Sequence, residues 1–216
     1  LQADAIGLNT LGIYNVLCLT GDSSKVGPSP MSNMNMIDID SIQMLWILRR
    51  MRDEGIYLDG RKMKKPPKLF LGAATSPFAS EPHLQALRDH KKVNAGAQFM
   101  QTNLIFEPEK LDPWLEALDR RNILDKVYIL IGISPLKSYK VAEYLHTNVP
   151  GVTIPASILD RMKRAGEAAP EEGLRIALEL TDAIKKKQGI NGMHIMSLGW
   201  EAIIPRIIAE SGLSVK

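Results

Sequence analysis

Asp22 closes the run Cys18-Leu19-Thr20-Gly21-Asp22, which follows the apolar segment Asn15-Val16-Leu17. Glycine lets a backbone approach a ligand closely, and the carboxyl ends of parallel strands are where ligands sit. A Gly-Asp step there sets one carboxylate at the mouth of a site; the alternative is an aspartate that only caps the turn into the loop Ser23–Pro28. Arg88 and Lys92 are four residues apart, so on a helix they share one face. Two cations on one face suit a diphosphate or simply solvent. Gln101 and Asn103 alternate along an apolar segment and point to the same side of a strand, each with an amide donor and acceptor. His194 interrupts another apolar strand and fits a buried, hydrogen-bonded imidazole better than a chemical role. Glu107 and Glu109 fit a helix start. No set of His, Asp and Glu has the spacing of metal ligands.

These residues fall on a regular alternation of strands and helices. Strands are expected at Asn15–Leu19, Leu69–Gly72, Gln98–Thr102, Val127–Ile131 and Gly192–Ser197. Helices are expected at Asp40–Glu54, with Ile42, Leu45, Trp46 and Leu48 as its apolar stripe, and at Glu81–Val93, with Leu84, Leu87 and Val93 on one side. Further helices are expected at Leu111–Arg121, Lys137–His146, Pro155–Ala165, Pro170–Lys187 and Trp200–Ser211. Near-continuous apolar strands joined by helices mark a parallel sheet covered on both faces. No Gly-x-Gly-x-x-Gly follows any strand, so the dinucleotide fingerprint is missing. A (β/α)8 TIM barrel is the better fit, and five units do not close one. Leu1 is not an initiator methionine, and residues 1–8 read as the end of a helix. The expectation is one partial barrel domain over residues 1–216, with the N-terminal units missing before it.

Composition sets the remaining bounds. The chain has 216 residues, 45% hydrophobic and 24% charged, enough for a substantial core. A net charge of +3 with few aromatics gives no case for nucleic acid. No apolar run reaches the roughly 18 residues of a membrane span. The single cysteine, Cys18, cannot form an internal disulfide, which fits a reducing, cytoplasmic compartment. The basic stretch Arg61-Lys62-Met63-Lys64-Lys65 reads as a solvated connection.

The combination of Leu17-Cys18-Leu19-Thr20-Gly21-Asp22, Gly96-Ala97-Gln98-Phe99-Met100-Gln101-Thr102-Asn103, Gly132-Ile133-Ser134-Pro135 and His194-Ile195-Met196 resembles the methylenetetrahydrofolate reductase family. In order and spacing these segments resemble strands four to eight of that family's barrel. The resemblance implies FAD as cofactor and a hydride passed from it to 5,10-methylenetetrahydrofolate, giving 5-methyltetrahydrofolate. Asp38–Gln43 and Gly199-Trp200-Glu201 look like a branch of anaerobic bacteria and archaea. That branch implies a small zinc-containing partner subunit, larger electron-transfer subunits and an oligomeric assembly.

Roles follow from the resemblance. Asp22 matches an aspartate near the flavin N1–C2 edge and the folate, where a fixed negative charge favours hydride donation and a cationic form of the substrate. Thr20-Gly21 stands where the family often has Arg-Gly, so an arginine contact to the flavin is lost or supplied elsewhere. Gly72, Ala73 and Ala74 match a strand end beside the cofactor, with tight packing as the alternative. Lys92, with Arg88 a turn earlier, matches a phosphate-side contact. Asn103 replaces a glutamine whose amide binds the pterin ring, with a shorter reach, and Gln101 is placed to help. Tyr139 matches an aromatic cover over the substrate, or is an ordinary amphipathic helix residue. Leu198 matches an apolar position near the bound ring. Trp200 stands where some members have an arginine for a nicotinamide, which points to electrons from a partner. The family's general-acid glutamate belongs to the first strand, outside this chain.

Two other functions compete: a non-catalytic or electron-relay barrel subunit of a larger redox complex, and a barrel enzyme handling another pterin or a corrinoid-linked methyl group.

Overall fold

A computed structural model describes residues 1–21 and 38–213. Its five strands are β1 (Asn15–Cys18), β2 (Phe70–Thr75), β3 (Phe99–Leu104), β4 (Tyr128–Ile133) and β5 (Gly192–Ile195). They form one sheet in sequence order, β1-β2-β3-β4-β5. β1 and β2 pair in parallel with Asn15 opposite Phe70, and β4 and β5 pair in parallel with Leu130 opposite Gly192. The helices are α1 (Gln2–Thr10), α2 (Ser41–Asp53), α3 (Pro82–Ala95), α4 (Asp112–Asp119), α5 (Tyr139–Asn148), α6 (Ala156–Ala165), α7 (Ala169–Lys185) and α8 (Ile204–Ser211). The alternation read from the sequence is therefore the architecture, an α/β fold with a five-stranded parallel sheet.

The chain divides into two compact units, residues 1–74 with 87–100, and residues 75–86 with 101–216. The first is built around Cys18, Leu45, Leu48, Met51, Leu71 and Ala73. α2 begins where it does because Asp40 and Gln43 form a reciprocal capping box: Gln43 N donates to Asp40 Oδ1, and Asp40 N donates to Gln43 Oε1. Of its expected stripe, Leu45 and Leu48 are buried and Ile42 packs against the core, Ile47 and Met51 join them, and Trp46 alone does not. Trp46 is exposed and carries the Arg50 guanidinium over its ring at 4.7 Å. α3 inverts its expectation. Leu84 and Leu87 are exposed, while Gln85, Ala86 and Asp89 are buried. Periodicity located the helix but not its inward face, because that face is small and polar and Gln85 Nε2 spends its hydrogen bond on Thr75 Oγ1.

In the second unit α7 runs against the turn after β4. A Cβ on Gly173 would stand 1.7 Å from the Leu136 carbonyl oxygen. Arg161 on α6 ties this helix pair by ion pairs to Glu172 and Glu179. Leu174, Ile203 and Ile207 form a smaller core, with Ile195 and Trp200 packed against it. Helix Leu111–Arg121 is observed as a 3-10 turn, Pro108–Leu111, followed by α4.

Candidate functional site

In the first unit, Cys18, Leu19, Thr20, Gly21, Ser41, Ala74 and Lys92 line one cavity of about 300 Å³. Four of the residues singled out from the sequence, Thr20, Gly21, Ala74 and Lys92, are thus brought together. Gly21 has φ +88°, a backbone conformation that favours glycine, and among the described residues nothing lies within 4 Å of an added Cβ. Thr20 Oγ1 accepts from the Ser41 N–H at 2.9 Å. With the capping box, the Ser41 and Gln43 amides at the start of α2 are both bonded within the protein. Among the described residues, the cation lining the cavity is Lys92. Its Nζ donates to the Ala74 carbonyl at 2.6 Å. Burial pulls the Lys92 pKa below its ordinary value, with Asp89 opposing and Arg88 reinforcing the shift. Cys18 is shut from solvent, and burial pushes its thiol up to about 11. It is therefore a protonated, unreactive wall at neutral pH.

The other residues expected at this site are placed differently. Asp22 lies outside the described residues. Ala73 points into the core cluster with Leu71 and Cys18. Gly72 leaves room for Phe99: a Cβ there would meet the Phe99 ring at 2.1 Å. Arg88 is exposed and is not among the residues lining the cavity. Ser41 was not expected at the site: the sequence places it at the start of the Asp40–Glu54 helix, and the fold brings that start to the cavity.

In the second unit, Asn103 is engaged by its own surroundings. Its Oδ1 accepts from Leu104 N at 2.8 Å, and its Nδ2 donates to the Pro150 carbonyl at 3.2 Å. Gly151 presses on the same amide, with an added Cβ falling 3.1 Å from Nδ2. The loop thus held is also tied by Ile154 N donating to His146 Nδ1. Gln101 is half-buried and makes no side-chain hydrogen bond among the described residues. Thr102 Oγ1 donates to the Asn103 carbonyl and accepts from Gly132 N. Tyr139 opens α5 and donates to Glu143 Oε1 at 2.9 Å; that bond raises the phenol pKa. Lys163 Nζ stands 5.8 Å from the Tyr139 ring centroid.

Leu198 is 52% exposed with φ +49°, a backbone conformation branched and bulky residues seldom adopt. Glu201 imposes it: its Oε1 accepts from Gly199 N and from Ser197 Oγ, both at 3.1 Å. Trp200 turns inward onto the α7–α8 core. Two larger concavities of about 550 and 470 Å³ lie along α7; of the residues singled out from the sequence they contain only Glu109, at the edge of the second, and none of those assigned to cofactor or substrate. Among the described residues no group of His, Cys, Asp and Glu is arranged to hold a metal, and no helix is long and apolar enough to cross a membrane.

A fission yeast protein, methylenetetrahydrofolate reductase 2 of Schizosaccharomyces pombe, is 31% identical over 134 residues, 58% of this chain and 21% of that protein. The chain thus spans about one fifth of that relative's length. A solved structure of an uncharacterized Clostridium thermocellum protein, described as binding two copies of 5-methyl-5,6,7,8-tetrahydrofolic acid, superposes with TM-score 0.50 at 20% identity. It covers 67% of this chain and 52% of that one, and shows a shared fold. The family model for methylenetetrahydrofolate reductase matches residues 1–212, and this chain belongs to that family.

Proposed function

We propose that this chain forms the fourth to eighth strand–helix units of a TIM-barrel, flavin-dependent methylenetetrahydrofolate reductase. Membership of the family over residues 1–212 carries the reading. When bound, FAD in its reduced form would supply a hydride to the methylene carbon of 5,10-methylenetetrahydrofolate, which with a proton on the released ring nitrogen would give 5-methyltetrahydrofolate and oxidised FAD. The cavity beside Lys92 fits part of such a cofactor. It is at the small end of ligand pockets, which run from about 300 Å³ upward, and it offers one ammonium, a threonine hydroxyl and an open glycine backbone. In this reading Lys92 neutralises a phosphate and Thr20 and Gly21 supply close contacts. Asp22 is assigned the carboxylate that tunes hydride donation on its motif alone. Arg88 is assigned a second, outer phosphate contact.

In the second unit, Gln101, Tyr139 and Leu198 are assigned to the folate: an amide, an aromatic cover and an apolar contact. Trp200 is packed in the core, which supports electron delivery from a partner subunit rather than from a nicotinamide held by that residue. Electron-transfer subunits, a zinc-containing partner, an oligomeric assembly and a cytoplasmic setting belong to the same proposal. The commitment of the Asn103 amide to Pro150 favours one competing reading, a barrel subunit that relays electrons without turning over folate.

The decisive experiment is an absorbance spectrum of the full-length native protein, followed by anaerobic mixing with 5-methyltetrahydrofolate. A flavin band that bleaches is the expected result. Bound flavin that does not bleach supports the relay reading, and full-length protein without flavin overturns the flavin assignment.

A further inference from the structure

The basic stretch Arg61-Lys62-Met63-Lys64-Lys65 takes no part in the candidate site, and it is not a loose connection. Residues 55–68, between α2 and β2, form a short antiparallel hairpin. Ile56 bridges Lys62, Tyr57 N donates to Arg61 O at 2.8 Å, and Met63 N donates to Gly55 O at 2.7 Å. The turn is Leu58-Asp59-Gly60, with Gly60 at φ +87°, the left-handed residue that a three-residue hairpin loop needs. The base is pinned. Met63 packs against the core, Pro67 is buried, and Lys68 N donates to Asn9 Oδ1 at 2.7 Å.

The positive charge of the chain is concentrated on this hairpin. Residues 55–68 hold Arg61, Lys62, Lys64, Lys65 and Lys68 against Asp59 alone, a net +4. The whole chain is +3, so everything outside the hairpin is net −1. Asp59 is taken by Arg61, with Nε donating to Oδ2 at 2.7 Å. The acids at the end of α2 are taken too, Asp53 by Arg52 and Glu54 by Arg50. Lys62, Lys64, Lys65 and Lys68 are exposed, and among the described residues none of their ammonium groups has an ion pair. Like charges held on one pinned segment repel, and an anionic surface relieves that repulsion. Leu58, at the turn, is 53% exposed.

We propose that the 55–68 hairpin docks an acidic face of a protein partner, with Leu58 as its apolar contact. The free cations are all lysines, compact charges that suit single carboxylates, while the one guanidinium, the group that grips phosphate by two bonds, is spent on Asp59. The hairpin's one aromatic ring, Tyr57, is half-buried, and the Arg61 guanidinium lies over it at 5.8 Å from the centroid. No open ring is left for a nucleic-acid base to stack on. A protein face also covers Leu58, and one leucine is too little apolar surface to enter a membrane interface. Complementary charge of this kind speeds encounter and weakens with salt. The hairpin enters β2 at Phe70, the end of the strand away from Ala74 and the cavity.

The test is fluorescence anisotropy of a labelled glutamate-rich peptide with a central leucine, titrated with full-length native protein at about 50 and about 200 mM salt. The protein should bind the peptide at the lower salt and lose most of that affinity at the higher. Lys62→Ser, Lys64→Ser, Lys65→Ser and Lys68→Ser combined should weaken binding about tenfold or more, while the melting temperature stays the same or rises. Lys126→Ser, Lys137→Ser, Lys140→Ser and Lys186→Ser combined remove the same charge from exposed positions elsewhere and should change Kd by less than about twofold. No binding at the lower salt, equal loss in both variants, or loss with a lowered melting temperature overturns the proposal. So does tighter hairpin-dependent binding of a single-stranded oligonucleotide of equal charge, or of equimolar phosphatidylserine–phosphatidylcholine vesicles, which gives the hairpin to a nucleic acid or a lipid surface instead.

Discussion

Lys92 Nζ and the carbonyl of Ala74 are joined at 2.6 Å, so a helix ammonium is held at the end of β2 beside the cavity. The lysine is desolvated there, and a buried cation seeks an anionic partner. Lys92→Gln should lower the flavin content of purified full-length protein and weaken flavin binding about tenfold, the scale of one charge-assisted hydrogen bond. Flavin absorbance per protein, with titration into the apoprotein, measures it. Full flavin occupancy in the variant would remove Lys92 from the cofactor site.

Gly72 is kept small by its neighbour Phe99. Phe99 covers it and stacks on Phe70, with ring centroids 5.4 Å apart. Gly72→Ala should destabilise the protein by about 1–3 kcal/mol, the usual cost of overpacking. Phe99→Leu should relieve most of the added strain, so the two changes combine non-additively. A denaturant double-mutant cycle reads the coupling; simple additivity would sink the claim.

Gly173 sits inside α7, where alanine ordinarily stabilises by about 1 kcal/mol. Here the added carbon would enter the Leu136 carbonyl oxygen, a backbone atom. Gly173→Ala should therefore lower the melting temperature, with a loss on the order of 2 kcal/mol or more. An increase would show that the helix can slide off the turn after β4 at little cost.

The loop presenting Leu198 should loosen in acid. The Glu201 carboxyl is held below the usual carboxylate range, first by its own backbone N–H, then by the Ser197 hydroxyl and the Gly199 N–H. A carboxylate with a depressed folded-state pKa stabilises above its unfolded value, and that contribution is lost as pH falls through the folded value. Amide exchange at Gly199 should rise as pH drops below the ordinary glutamate range, after correction for intrinsic exchange. In Glu201→Ala the exchange should be fast at every pH. A pH-independent Gly199 amide in the wild type would contradict the brace.

Cys18 should be silent in the native state. Its thiol is fully buried and pushed up to about 11, and thiolate is the reactive form. Iodoacetamide at pH 8 should leave Cys18 unmodified in folded protein and modify it in denaturant, read by peptide mass. Rapid native labelling would show that the β1 end opens to solvent.

The residues alone determined the order of elements, because period-two and helical apolar patterns are local properties of the chain. They also carried the resemblance to the family, through short strand-end segments such as Leu17–Thr20 and Gly132–Pro135. Local pattern did not reach which way a side chain points when a helix buries polar residues, as α3 does with Gln85 and Asp89. Nor did it reach which neighbour claims a given group. Thr20, Gly21, Ala74 and Lys92 come from three distant segments, and only the folded chain assembles them around one cavity. Gly72 belongs to Phe99, the Asn103 amide to Pro150 and Trp200 to the α7–α8 core, while Ser134 Oγ has no partner among the described residues. Hydrogen bonds and close packing act over a few ångströms between residues far apart in sequence, so those assignments exist only in the tertiary structure.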